Sequence, residues 1–271
     1  MNYRHAFHAG NFADLVKHAA LTGLLEAMTR EAASLTVTDT HAGAGAYDLQ
    51  GEMARKTGEA AIDRLLADAA APEAFDVLVA TVMRINPGGE ARAYPGSPML
   101  VAQALRPQDR MTACELREDD QAALADLLAG FGAQARALRA DGFVEAANID
   151  AKGRNLILID PPFEREDDYR RIADSAGAVL AKDSHAVLAV WVPLKDLDTF
   201  DRFLTRLEPL EAPVLIGECR LRPLSDPMKM NGCAMVIVNP PEGTEEGLKA
   251  ICGWVAQHLG EARNEARVWR L

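Results

Sequence analysis

Short apolar runs alternate with stretches of helical periodicity along most of this chain, and that alternation restricts the fold more than any other feature. Strand candidates are Ser34–Thr38, Met111–Cys114, Ala135–Arg139, Leu156–Ile159, Ala186–Val192, Val214–Leu221 and Cys233–Val238. Helical stretches fall between most of them, at about Arg117–Leu128, Tyr169–Ala181 and Leu197–Leu207. One more precedes the first strand (about Ala13–Ala33), and another follows the last (about Glu245–Leu259). Strands separated by crossover helices build a doubly wound, mostly parallel sheet. The last two strand candidates have no helix between them and are expected to form an antiparallel hairpin at the sheet edge. Between about Gln50 and Ala93 the chain reads as a small helical insert, because that distance exceeds a simple crossover. Such an insert either caps a site or adds packing.

Composition agrees with this class. At 271 residues and 49% hydrophobic, the chain can bury the core of a single large domain spanning residues 1–271. No apolar run reaches the ~18 residues of a spanning helix. The start, Met1-Asn2-Tyr3-Arg4-His5, is polar, so the protein is read as cytoplasmic. Cys114, Cys219, Cys233 and Cys252 form no CxxC pair, and reduced, buried thiols are expected. A net charge of -11 argues against electrostatic coating of nucleic acid by the whole surface. A nucleic-acid partner must be gripped by a local patch.

In a doubly wound sheet, ligands sit beyond the carboxyl ends of the strands. Polar residues collect there: Asp39, His41, Gly43 and Gly45 after the first strand, Glu115 after the second, Asp141-Gly142 after the third. Small residues let backbone approach a ligand and turn tightly into a helix. Glu115 has the paired acceptors that two ribose hydroxyls need, and Asp141 could accept from an adenine amino group. Asp160-Pro161-Pro162-Phe163, after Leu156–Ile159, carries the most chemistry. An adenine N6 amine is a poor nucleophile, since its lone pair is delocalised into the ring. A carboxylate (Asp160) and a carbonyl (Pro161) accepting its two N–H bonds would localise that lone pair, and Phe163 could stack on the base. Asn239-Pro240-Pro241-Glu242 also follows a strand but lacks the aromatic and is read as structural. Arg4, His5, His8, Lys17 and His18 make the N-terminus basic, with Tyr3 and Phe7 interleaved, a pattern suited to unstacked nucleotides. Arg220, Arg222 and Lys229 are a weaker phosphate candidate. The histidines are too widely spaced for a metal site, and no metal is expected.

These residues resemble a known family. Tyr3 to Asn11 with Asp14 and Lys17-His18 looks like the N-terminal signature of the RlmJ-type 23S ribosomal RNA adenine-N6 methyltransferases. Asp39-Thr40-His41-Ala42-Gly43-Ala44-Gly45, Tyr94-Pro95-Gly96-Ser97-Pro98, Asp141-Gly142-Phe143 and Asp160-Pro161-Pro162 continue the match in order. The resemblance covers nearly the whole chain. It implies a Rossmann-like class I methyltransferase fold with a seven-stranded, mostly parallel sheet and a small helical insert. It also implies S-adenosylmethionine as donor, S-adenosylhomocysteine as product, and one specific adenine of 23S ribosomal RNA as acceptor. By the same resemblance His18, His41, Ser97, Glu115, Asp141, Gly142 and Asp160 line the donor site, Asp160 holds the target amine, and Tyr3 touches the RNA. The family commonly has Tyr where Phe163 stands; Phe keeps the stacking face and loses the hydroxyl. The partner is ribosomal RNA, with no membrane and a monomeric chain expected.

Three other readings stand beside this one. A DNA adenine methyltransferase would share the motif but needs a target-recognition domain, for which only Gln50–Ala93 has room. A protein glutamine methyltransferase typically starts the motif with Asn. A non-catalytic RNA- or protein-binding module would not need an intact Asp160 motif.

Overall fold

The computed structural model describes residues 9–51, 61–149, 153–226 and 228–271. In chain order its elements are α1 (Phe12–Thr29), β1 (Leu35–Asp39), β2 (Ala46–Asp48), α2 (Ala61–Ala67), α3 (Asp76–Ile85), β3 (Ala93–Pro95), α4 (Ser97–Ala104), β4 (Arg110–Cys114), α5 (Glu118–Ala129), β5 (Ala135–Leu138), α6 (Gly142–Glu145), β6 (Arg154–Ile159), α7 (Asp168–Leu180), β7 (Val187–Leu194), α8 (Leu197–Leu207), β8 (Val214–Arg220), β9 (Gly232–Val238), α9 (Thr244–Leu259) and β10 (Glu265–Arg270).

Eight strands form one sheet in the order β10-β8-β9-β7-β6-β1-β4-β5. The pairs β5–β4, β4–β1, β1–β6 and β6–β7 are parallel, and the central β6 and β7 are the apolar strands buried on both faces that such a sheet requires. The order reverses at β1, whose neighbours are β4 and β6, and a ligand crevice belongs at that switch point. The β8–β9 antiparallel pair is present, but β9 inserts between β7 and β8, so the hairpin is not the edge. The edge is an eighth strand, β10, beyond the seven expected, paired antiparallel with β8. Glu-Ala-Arg-Val-Trp-Arg does not read as a strand because it is largely exposed, and charged residues on an edge discourage pairing with other chains. Among the described residues no helix is long and apolar enough to cross a membrane.

Helix α1 is buried almost all round, against α4, α9 and the sheet, and shows little amphipathic bias. It stops at Thr29, four residues short of the expected end. The Arg106 guanidinium collects the carbonyls of Thr29, Glu31 and Ala33 there and pairs with Asp109, which also accepts the Leu35 N–H. One ion pair between half-buried Arg106 and buried Asp109 thus fixes the end of α1 to the start of β1.

The stretch between β2 and β3 contains α2, a 3-10 turn at Glu73–Phe75 and α3. Ile62, Leu65, Phe75, Leu78 and Val82 belong to the same core as α1 and α9. Phe75 meets the Trp254 ring edge-on, and the Trp254 indole donates to Asp68. The described part of the stretch packs on the body of the protein, and its flanks pair as a two-stranded sheet with Tyr47 opposite Tyr94.

Candidate active site

A cleft of about 340 Å³ opens beyond the carboxyl ends of β1, β4, β5, β6 and β7. That volume lies in the range of ligand pockets. No described residue of α2 or α3 lines it.

One wall is the start of α1. Asn11 caps the helix by accepting from the N–H groups of Ala13 and Asp14, which aims the first two turns at the sheet. Asp14, Lys17 and His18 are spaced to share one face, and all three are buried. Asp14 accepts the Gly10 N–H. The Lys17 ammonium lies 3.0 Å from Asp14 and 2.6 Å from Asp160. His18 shares a 3.0 Å hydrogen bond with the Tyr94 hydroxyl.

The floor is the end of β1 and the turn after it. Asp39 is fully buried and accepts from the Ser97 hydroxyl at 2.7 Å. Burial pushes its pKa up to about 6, against the lowering effects of the Ser97 bond and the Lys17 charge. Burial likewise lowers His41 to about 4, which keeps the imidazole neutral near pH 7; its ring meets Phe143 edge-on at 4.8 Å. Gly43 has φ +61°, and a Cβ there would meet the Tyr47 hydroxyl. Its N–H donates to Glu115, whose other oxygen accepts from Arg117 N–H. Glu115 is therefore fixed in direction.

Asp39 gives a stability prediction. An acid whose pKa is higher folded than unfolded binds more protons in the folded state. Its contribution is present below about pH 4 and is lost as pH rises through about 6. Asp39→Asn should remove that pH-dependent loss, roughly 2–3 kcal/mol for a shift of this size. Urea unfolding of both proteins at pH 4.5 and 7.5 checks it. Parallel profiles would show that Asp39 is not the group responsible.

Asp141 and Gly142 follow β5. Gly142 lines the cleft, and a Cβ on it would run into the Thr40 carbonyl. The Asp141 carboxylate caps α6 at Phe143 N–H and takes a 2.5 Å ion pair from Arg171, whose guanidinium lies over the Phe143 ring. Asp141 thus braces α7 against α6 and stands at the rim of the cleft, while Gly142 reaches its lining.

Asp160 stands at the centre, just past β6. Lys17 occupies its Oδ2, so an amine hydrogen would go to Oδ1. Pro161, Pro162 and Phe163 continue the lining. Phe163 adopts φ +49°, a left-handed conformation unusual for an aromatic residue. Its ring is held 5.0 Å from Tyr169 and 5.9 Å from Trp191. Strain at such a position persists only where the surroundings fix it, and here the Tyr169 and Trp191 rings do.

Among the described residues no group of three or more metal-ligating side chains occurs. Tyr3, Arg4 and His5 lie outside the described residues.

Comparison with known proteins adds to this geometry. The family model described as "Ribosomal RNA large subunit methyltransferase D, RlmJ" matches residues 32–271. This chain belongs to the RlmJ family. It is 32% identical over 264 residues to "Ribosomal RNA large subunit methyltransferase J" of Escherichia coli (strain K12), covering 96% of this chain and 94% of that protein. The Haemophilus influenzae protein of the same name is 33% identical over 265 residues, with the same coverage. The crystal structure of protein LPL1258 from Legionella pneumophila superposes with a TM-score of 0.88 at 29% identity, over 97% of this chain and 98% of that one.

Within this RlmJ-family chain the structure brings His18, His41, Gly43, Ser97, Glu115, Gly142, Asp160, Pro161 and Phe163 around one cleft. It adds lining residues that the sequence reading leaves out of the site: Asn11, Asp14, Lys17, Tyr47, Trp191, Lys195 and Met230. For Asp14 and Lys17 a signal exists, since both belong to the N-terminal signature and sit in a helix with too few polar residues for a solvated face. Trp191 alternates within an apolar strand and reads as core. The other candidates fall away from the cleft. Arg220 pairs with Glu218 and Glu265, Arg222 with Glu261 and Lys229 with Asp226, so that edge carries neutralised charges. Asn239-Pro240 ends β9, which runs opposite to β7, and Asn239 donates to the carbonyls of Ser184 and Ala186 at the far end of the sheet. All four cysteines are buried and free.

Proposed function

We propose that this chain moves the methyl group of S-adenosylmethionine to N6 of one specific adenine in 23S ribosomal RNA, working as one methyltransferase domain with the insert as packing. The observation that carries the reading is Asp160, held by Lys17 at the middle of the cleft with Pro161 and Phe163 beside it. The donor half fits the group it must hold. Gly43 and Gly142 let bare backbone line the cleft where a side chain would strike Tyr47 or Thr40, and Glu115 brings paired acceptors to the same lining. When bound, the donor supplies an electrophilic methyl carbon on a positively charged sulfur.

Glu115 would hold ribose hydroxyls, and His41, His18, Ser97 and Gly142 would shape the rest of the donor half. Asp160 Oδ1 and the Pro161 carbonyl would each accept one N–H of the target amine, turning its lone pair out of the ring. Lys17 keeps Asp160 in position. Asp160 need not be a strong base, because the amine becomes acidic only as the new bond forms. Phe163 would stack on the extruded base.

The test is transfer from radiolabelled S-adenosylmethionine to large-subunit RNA lacking its modifications, with duplex DNA alongside and nucleoside analysis of the product. N6-methyladenosine in RNA alone is expected. Label in DNA, or no label with donor bound, would overturn the reading. Tyr3→Ala should weaken transfer to RNA about tenfold while leaving donor affinity nearly unchanged, as loss of one aromatic–base contact would. Equal loss of both would place Tyr3 in the donor half instead.

A further inference from the structure

The cleft extends to both sides of Asp160. Toward β1, β4 and β5 lie the glycines and Glu115; toward β7, on the opposite side of β6, lie Trp191, Pro193 and Lys195, with Met230 from the β8–β9 connection. The proposed donor contacts account for the first half only.

The second half has its own construction. Trp191 reaches the lining from within β7 and meets the edge of Phe163. Asn231 is fully buried and donates through Nδ2 to the carbonyls of Lys195 and Asp226, while its N–H donates to the Leu194 carbonyl. The β8–β9 connection and the end of β7 are thereby tied together, with Met230 as a wall and exposed Lys195 at the mouth. The other cations lining the cleft are already matched by carboxylates: Lys17 by Asp14 and Asp160, Arg117 by Asp119 and Asp120. Lys195 has no carboxylate within ion-pair distance among the described residues. In a chain of net charge -11, an unmatched ammonium at the mouth of the cleft is where a polyanion gains most.

We infer that the β7 half is the acceptor-nucleotide subsite, in which Lys195 takes a phosphate flanking the target adenosine and Trp191 and Met230 wall in the nucleotide. This rests on the RNA reading above. A phosphate contact adds affinity for any strand, and the walls supply a dry surface for the extruded nucleotide.

The experiment measures binding by fluorescence anisotropy, using a labelled fragment of unmodified 23S RNA that the wild-type protein methylates. Calorimetry with S-adenosylmethionine runs in parallel. Lys195→Glu should raise the Kd for RNA about tenfold, and Lys195→Arg should hold it within about twofold. Lys195→Met should make the slope of log K against log salt shallower by about 0.7, the value for one phosphate on a single strand. Met230→Ala should weaken RNA binding with the slope unchanged. Donor Kd should stay put throughout. Unchanged RNA Kd and slope in the Lys195 variants, with the wild type active on RNA, would overturn the subsite and leave the function standing. Equal weakening of donor and RNA would assign Lys195 to the donor and overturn it too. A wild-type protein that methylates no RNA would remove the function first, and the subsite with it.

Discussion

Asp160→Asn is expected to lower methyl transfer by about three orders of magnitude while donor affinity changes less than about threefold. The size follows from removing one preorganised charged group at the reacting atoms. Asn keeps the shape but replaces one carboxylate oxygen by an N–H₂, which repels the amine hydrogens that Oδ1 would accept. It also takes the charge away from Lys17, which keeps Asp14 at 3.0 Å. A buried ammonium with one carboxylate instead of two costs stability, so unfolding must be measured beside turnover. Single-turnover transfer and donor calorimetry on the folded variant separate the two effects. Unchanged turnover would remove Asp160 from the chemistry. A parallel loss of donor binding would move Asp160 from the acceptor to the donor.

Gly142→Ala should be the most damaging single methyl in the molecule. The added Cβ would lie inside contact distance of the Thr40 backbone, which is itself tied to β6 through Thr40 N–H and Oγ1 to the Leu158 carbonyl. A flexible side chain could yield; this carbonyl cannot without parting β1 from β6 or moving α6. A loss of about 4 kcal/mol is expected, at the upper end for a single substitution, with donor affinity down at least about tenfold. Gly253→Ala is the control. It lies in α9 with nothing within 4 Å of its Cβ, and should stabilise by about 0.5–1 kcal/mol. Denaturant unfolding of the pair checks both. Equal, small effects would mean that β1 and α6 are looser than their contact implies.

Much of this architecture is legible in the sequence because apolar runs and strand-end acids are local signals. Asp39, Glu115 and Asp160 each follow a run of buried residues, and any doubly wound sheet must bring such positions together. What is not legible depends on partners far along the chain. Lys17 reads as part of a basic grip on nucleotides until Asp160, 143 residues away, is placed beside it. Trp191 reads as core until the fold places it in the cleft lining beside Met230. β10 is invisible because its pairing with β8 is made by backbone, while half its side chains are charged. The left-handed turn at Phe163 follows from three rings converging, two of them from α7 and β7.

The burial of α1 has a consequence for how the protein becomes competent during synthesis. This helix carries Asp14, Lys17 and His18 into the cleft, yet it is packed against α9 and touches β9, elements that leave the ribosome long after it. A growing chain therefore has α1 waiting for α9. Until α9 packs on α1, Lys17 is expected to lack a fixed place opposite Asp160, which would delay the chemistry. Pulse-chase proteolysis of stalled chains ending before and after α9 should show α1 protected only in the longer ones.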